Sequence, residues 1–204
     1  MPPPYEKSVF INCPYDDAFA PLFDAIVLTV AARGFTPRSA RETGGMADPR
    51  IVRIARGLMT SKYSIHDLSR FQGEGVDNLA RFNMPLELGM ALGIRFMRDG
   101  TGTDHNWVVL LPAGGAHEKF VSDLVGYDMR EHDGQPSTVI TRVAAWLSEQ
   151  SDFTTPTPTA KTILDSFDPF RAFLEKAKQD SLGDLTWSAI IESARVTVNG
   201  MPVA

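Results

Sequence analysis

The sequence predicts an α/β fold, a doubly wound and mostly parallel sheet followed by a helical C-terminal extension. Three observations predict it. From Ser8 to Glu149, short apolar runs of strand formers alternate with longer stretches whose apolar residues recur at helical spacing. The run Trp107 to Leu111 is apolar throughout and bounded by Asn106 and Pro112, the pattern of a strand covered on both faces. A Thr/Pro segment, residues 151–160, then ends the alternation. Strands joined by helical crossovers run parallel with right-handed connections, which gives the doubly wound arrangement.

The elements follow in order. Ser8 to Cys13 (SVFINC) is the first strand, stopped by Pro14. Asp16 and Asp17 precede a helix on which Phe19, Leu22, Phe23, Ile26, Val27 and Val30 share helical spacing and which Gly34 ends. Phe35 to Ala40 can form the second strand, and Arg50 to Ser61 the second helix, with Ile51, Ile54, Ala55 and Leu58 on one face. Tyr63 to Leu68 reads as the third strand, running into a polar loop over 69–81. Asn83 then opens the apolar stretch MPLELGMALGIRFM, expected to be a largely buried helix. Trp107 to Leu111 is the fourth strand, Tyr127 to Arg130 the fifth, and Ser137 to Glu149 the next helix. Past the linker, Asp168 and Pro169 start one helix and Leu185 to Val196 forms another. The division expected is 1–150 for the α/β domain, 151–160 for the linker and 161–204 for the extension. The two C-terminal helices need an apolar surface to cover, which suggests a homodimer through them, although packing within one chain would serve equally.

Composition excludes several classes. With 43% hydrophobic and 22% charged residues the chain is that of a folded globular protein. A net charge of −5 with scattered Lys and Arg provides no basic stripe for a nucleic-acid groove, although free nucleotides remain open. The start MPPPYEKSVF lacks the features of a signal peptide, and no apolar run is long enough to span a bilayer; together with one cysteine, Cys13, this suggests a cytoplasmic protein. Cys13 itself reads as a small buried hydrophobe. GTGTDHN and PAGGAHEK lack the P-loop and dinucleotide patterns, and the four histidines lack metal-ligand spacing, so no metal is expected.

Glu87 is the most informative residue. Between Met84 and Phe96 its only ionisable companion is Arg95, so a carboxylate stands in the first turn of an apolar helix, and burying a charge is costly unless something satisfies it. Two roles are open to it: a structural one, capping its helix or pairing with an arginine such as Arg81, and a functional one, facing a cleft. Asn83 precedes it by one turn, as an N-cap or as a ligand donor beside Glu87. Asp67 closes the third strand, where an acidic residue can hydrogen-bond ribose hydroxyls or simply turn the chain, and Ser69 follows. His66 points to the opposite face from Asp67 and reads as a packed histidine.

Taken together, FINCPYDD after the first strand, IHDLSR at the end of the third and NMPLELGMALG opening the third helix resemble the superfamily of nucleoside 2-deoxyribosyltransferases and TIR-like NAD-cleaving domains. The likeness covers roughly residues 8–150. It implies a flavodoxin-like (Rossmann-like) sheet and a catalytic Glu87 working at the anomeric carbon of an N-glycoside. By the same resemblance Asp67 and Ser69 lie beside the sugar, and the turn at Asn12, Pro14 and Asp16 lines the pocket, beside the Asn83 that helix position places on the face of Glu87. The loop over 71–82 is longer than in the compact transferases, and Phe71, Phe82 and Tyr15 are the aromatics available to a base. The expected function is cleavage or transfer at the N-glycosidic bond of a nucleotide or nucleoside, with NAD possible as substrate and no bound cofactor. The alternative is a nucleotide-sensing module that uses the same cleft without chemistry.

Overall fold

A computed structural model describes residues 3–42, 47–70, 83–98, 104–114, 122–124, 126–183 and 185–203. Five strands form one sheet: β1 (Ser8–Asn12), β2 (Thr36–Ser39), β3 (Tyr63–Asp67), β4 (Asn106–Pro112) and β5 (Arg130–His132). The order is β2-β1-β3-β4-β5 and every pairing is parallel, the doubly wound arrangement expected. Helix α1 (Ala20–Ala32) and helix α4 (Pro136–Ser148) cover one face, while α2 (Arg50–Met59) and α3 (Asn83–Arg98) cover the other. Alternation along β1 divides the two cores. Val9 and Ile11 pack with α1 and α4, whereas Phe10 packs with Ile54 and Leu58 of α2 and Ala91 of α3.

Helix α1 is apolar on nearly every side, with ten buried positions from Leu22 to Ala32, so a sheet alone cannot cover it. The C-terminal helices supply the second cover. Helices α5 (Ala160–Asp165), α6 (Phe167–Asp180) and α7 (Trp187–Asn199) pack against α1, and Ile163, Phe167, Phe170, Leu174, Trp187, Ile190 and Ala194 join the same core as Ile26 and Val30. The apolar surface that suggested a homodimer is thus covered within one chain.

Local chemistry sets the element ends. Gly34, at φ +79°, terminates α1: its N–H reaches Ala31 O, and Phe35 N–H reaches back to Val30 O, a Schellman closure that glycine adopts without a side-chain clash. Thr159 and Thr186 cap α5 and α7 by accepting the N–H groups of Thr162 and Ala189. The segment 153–159 carries no helix or strand but is pinned. Asp152 accepts from Tyr63 Oη at 2.5 Å and from Lys62 Nζ at 2.6 Å, while Arg33 holds Thr157 and Pro158.

Three expectations are corrected. The fifth strand is Arg130–His132 rather than 127–130, because Tyr127 and Met129 are taken up in a turn after Leu124 while the chain pairs with Leu110 to Pro112. The short helix α5 precedes the one that Asp168 was expected to start. Helix α3 is not largely buried. Met84, Glu87, Leu88 and Ala91 face inward, while Leu86, Phe96 and Met97 are exposed. Among the described residues, no helix is long and apolar enough to cross a membrane.

Candidate functional site

The sheet order reverses between β1 and β3, so the loops leaving these neighbouring strands diverge and open a crevice at their carboxyl ends. A recess of about 270 Å³ lies there, lined by residues 13–16 after β1, by Arg50 at the start of α2, and by Asn83 and Met84 at the start of α3. Through Pro14, Tyr15, Asp16 and Arg50 it joins a cavity of about 530 Å³ between the beginning of α1 and helices α6 and α7. Asp16 is held by Arg70 at 2.8 Å and accepts the Phe19 N–H, which sets the turn into α1. The Tyr15 hydroxyl contacts Ser39 Oγ at 3.0 Å, and its ring lies under the Arg50 guanidinium at 5.3 Å.

Glu87 sits behind this recess rather than in its wall, with its side chain 4% exposed. Oε1 is 3.8 Å from Arg50 Nη2, and the buried Oε2 makes no hydrogen bond. Burial raises its pKa above the ordinary carboxylate value; Arg50 and a donor contact from the Asn12 carboxamide pull it back without cancelling the rise. A buried carboxylate oxygen without a partner is expensive, and this one stands next to the space a ligand would enter. Arg50 is its one ion-pair partner among the described residues, in place of the Arg81 considered from the sequence, which lies outside them. Arg50 carried no signal in the sequence that would have pointed to Glu87, because only the packing of α2 beside α3 brings the two together.

Asn12 and His66 are register partners on β1 and β3 and meet on the face toward α2 and α3. Asn12 Nδ2 lies 3.1 Å from His66 Nδ1, His66 Nε2 lies 2.8 Å from Ser64 Oγ, and Ser64 Oγ lies 2.9 Å from His105 Nε2. His105 Nδ1 ends the series on Ser61 O at 2.9 Å. Burial, with His105 adding to it, lowers the His66 pKa to about 3, so the ring is neutral. Cys13 is fully buried, and burial pushes its thiol well above the ordinary value, which suits the small-hydrophobe reading.

Asp67 and Ser69 are placed elsewhere. Strand alternation turns Asp67 to the opposite face of the sheet, where Oδ2 meets His132 Nε2 at 3.0 Å and Oδ1 accepts the Ser69 N–H at 2.8 Å. Ser69 and His132 line a separate cavity of about 380 Å³. His132 was not legible in the sequence, because its neighbours come from 63 and 65 positions away. Serine, histidine and aspartate are the residue types of a hydrolase triad, but Gly134 N–H donates to His132 Nδ1, so the ring proton is on Nε2, where both Asp67 and Ser69 lie. No basic ring nitrogen faces Ser69, and the trio does not activate it.

The structure places Pro14, Asp16 and Asn83 in the wall of one recess with Asn12 and Glu87 buried behind it, while Ser69 lines a neighbouring cavity and Asp67 is buried beside His132. Phe71 and Phe82 lie outside the described residues, which leaves Tyr15 as the described aromatic at the recess. No family model matches the chain and a search of curated proteins returns no match, so the likeness to N-glycoside-cleaving enzymes rests on the residues quoted for it.

Proposed function

We propose that the protein cleaves, or transfers across, the N-glycosidic bond of a nucleotide or nucleoside, with NAD or a deoxynucleoside as the substrate class. The observation that carries this reading is Glu87: a buried carboxylate at the switch point of the sheet, with one oxygen unpartnered and its charge met by the Asn12 carboxamide and a long contact from an arginine that is 44% exposed. Arg50 has room to leave, and the phosphate of an arriving nucleotide is a better partner for its guanidinium than a carboxylate oxygen at 3.8 Å. Its departure uncovers Glu87 and removes the cation that neutralised it.

In the reaction the C1′–N bond breaks and its electron pair goes to the departing base. Glu87 then faces the electron-deficient C1′, either as an electrostatic partner or by forming a glycosyl ester through Oε2. Water then adds at C1′, breaking the C1′–Oε2 bond where an ester has formed and returning the carboxylate, and its proton goes to solvent or to a base that leaves as an anion; in a transfer, a nitrogen of a second base adds instead. The reading rests on the residues around the recess, and Asp67 and Ser69 take no part in it.

The test is incubation with NAD and a panel of nucleosides, followed by chromatography. The parent is expected to release free base, and Glu87→Gln, which keeps the shape and loses the charge, to release it at least roughly a thousandfold more slowly with an unchanged melting temperature. Release by the variant at the parent rate overturns the proposal. So does ligand-dependent thermal stabilisation of a parent that forms no product, which is the behaviour of a sensor.

A further inference from the structure

The hydrogen-bond series behind Glu87 has a direction. A carboxylate only accepts, so the Asn12 group facing Glu87 is its NH2, and the same NH2 lies 3.1 Å from His66 Nδ1. Nδ1 must then accept, which leaves the ring proton of a neutral His66 on Nε2, donated to Ser64 Oγ at 2.8 Å. The Ser64 hydroxyl passes its own hydrogen to His105 Nε2 at 2.9 Å, and His105 Nδ1–H closes on the Ser61 carbonyl at 2.9 Å. Each donor finds an acceptor, and the backbone carbonyl at the far end, which cannot donate, fixes the sense of the whole series. Ser64, His66 and His105 are all 0% exposed, so water does not compete.

We propose that His66 is a positioning residue for Glu87: it holds the Asn12 carboxamide with its NH2 turned to the carboxylate. This inference rests on the proposed role of Glu87. The series orients and does not conduct, because a carboxamide cannot relay a proton between a carboxylate and an imidazole. Among the described residues, the titratable or charged groups around Glu87 are Arg50 from α2, Cys13 and Tyr15 from the loop after β1, and His66 behind Asn12. Of these, His66 is the one that acts through Asn12. With its acceptor removed, Asn12 is free to turn its carbonyl toward the carboxylate, which disfavours the ionised form.

Two measurements on the full chain test this. In the parent, ¹⁵N NMR is expected to show His66 neutral from pH 5 to 8 with its proton on Nε2, and His105 with its proton on Nδ1. In His66→Leu, ¹³C NMR of labelled glutamate is expected to find the Glu87 pKa raised by about one unit. The acid limb of the pH profile of base release should move up by the same unit, a roughly tenfold fall in kcat at pH below the Glu87 pKa, with KM little changed. His66→Asn, whose Oδ1 replaces Nδ1 as the acceptor, should restore both. A proton on Nδ1 of the parent His66, or a Glu87 pKa unmoved by His66→Leu, overturns the inference. Should His66→Leu not fold, the parent tautomer decides. Should the parent release no base, the tautomer and the Glu87 titration still decide, so failure of the enzymatic reading is distinguished from failure of this one.

Discussion

Asp24 is the single charged residue within α1, and it shows how one buried side chain couples stability to pH. Burial raises its pKa from 3.8 to about 6, against the pull of Arg171 on α6 at 3.3 Å. The folded chain therefore holds this proton more tightly than the unfolded chain. Stability is fully supported below about pH 4, falls as pH rises toward 6, and carries the whole cost of the buried charge above that. Asp24→Asn removes the titration, so its melting temperature relative to the parent should gain on the order of 5 °C between pH 4 and pH 7. A gap that stays constant across that range contradicts the assignment. Arg50→Ala makes a second prediction at this scale. It removes the proposed phosphate partner and leaves Glu87 buried with the Asn12 contact and no counter-charge, so calorimetry should show nucleotide affinity falling roughly tenfold or more while nucleoside affinity changes little. Glu87 itself was legible in the sequence because a lone carboxylate in an apolar helix demands an explanation. Its true partner was not, since Arg50 stands 37 positions earlier and only the packing of α2 beside α3 brings the two together.

The elements of the alternating unit were readable wherever period and punctuation agreed, as at β1, α1 with its Gly34 stop, and β4. Reading failed where a tertiary pairing overrides local preference. Tyr127 and Met129 are good strand residues, yet the turn after Leu124 takes them and the pairing edge falls on Arg130 to His132. Strand alternation also explains the divided site: Asp67 and His66 are adjacent in sequence and lie on opposite faces, so a cluster drawn along the chain is split by the sheet. The packing of α2 shows the same dependence on tertiary fit. A Cβ on Gly57 would stand 2.2 Å from the Phe10 ring, which is itself buried under α2 and α3. Gly57→Ala, helpful in an isolated helix, should here cost about 1–3 kcal/mol in denaturant unfolding. A neutral or stabilising result would show that α2 can move outward without loss.

Across the whole molecule, the lesson lies in α1. It is buried on nearly every side, more than a sheet alone can cover, and the helices from residue 160 onward supply the rest of the cover. The expected boundary at residues 151–160 thus marks a change of architecture while the core runs across it. A fragment ending at residue 150 bares the outer face of α1 and should lack a cooperative thermal transition by circular dichroism; a soluble fragment that melts cooperatively would restore the extension to independent status. The same helices wall the 530 Å³ cavity that adjoins the Glu87 recess, which makes the extension part of the site's surroundings.

The central claim is that a nucleotide displaces Arg50 and presents its anomeric carbon to residue 87. A crystal structure of Glu87→Gln soaked with the nucleotide that the parent cleaves tests it most directly. The account predicts C1′ within about 3–3.5 Å of the residue 87 side chain, with Arg50 turned onto a phosphate. A ligand seated in the Ser69 and His132 cavity, or one bound in the recess with Arg50 still over residue 87, contradicts it.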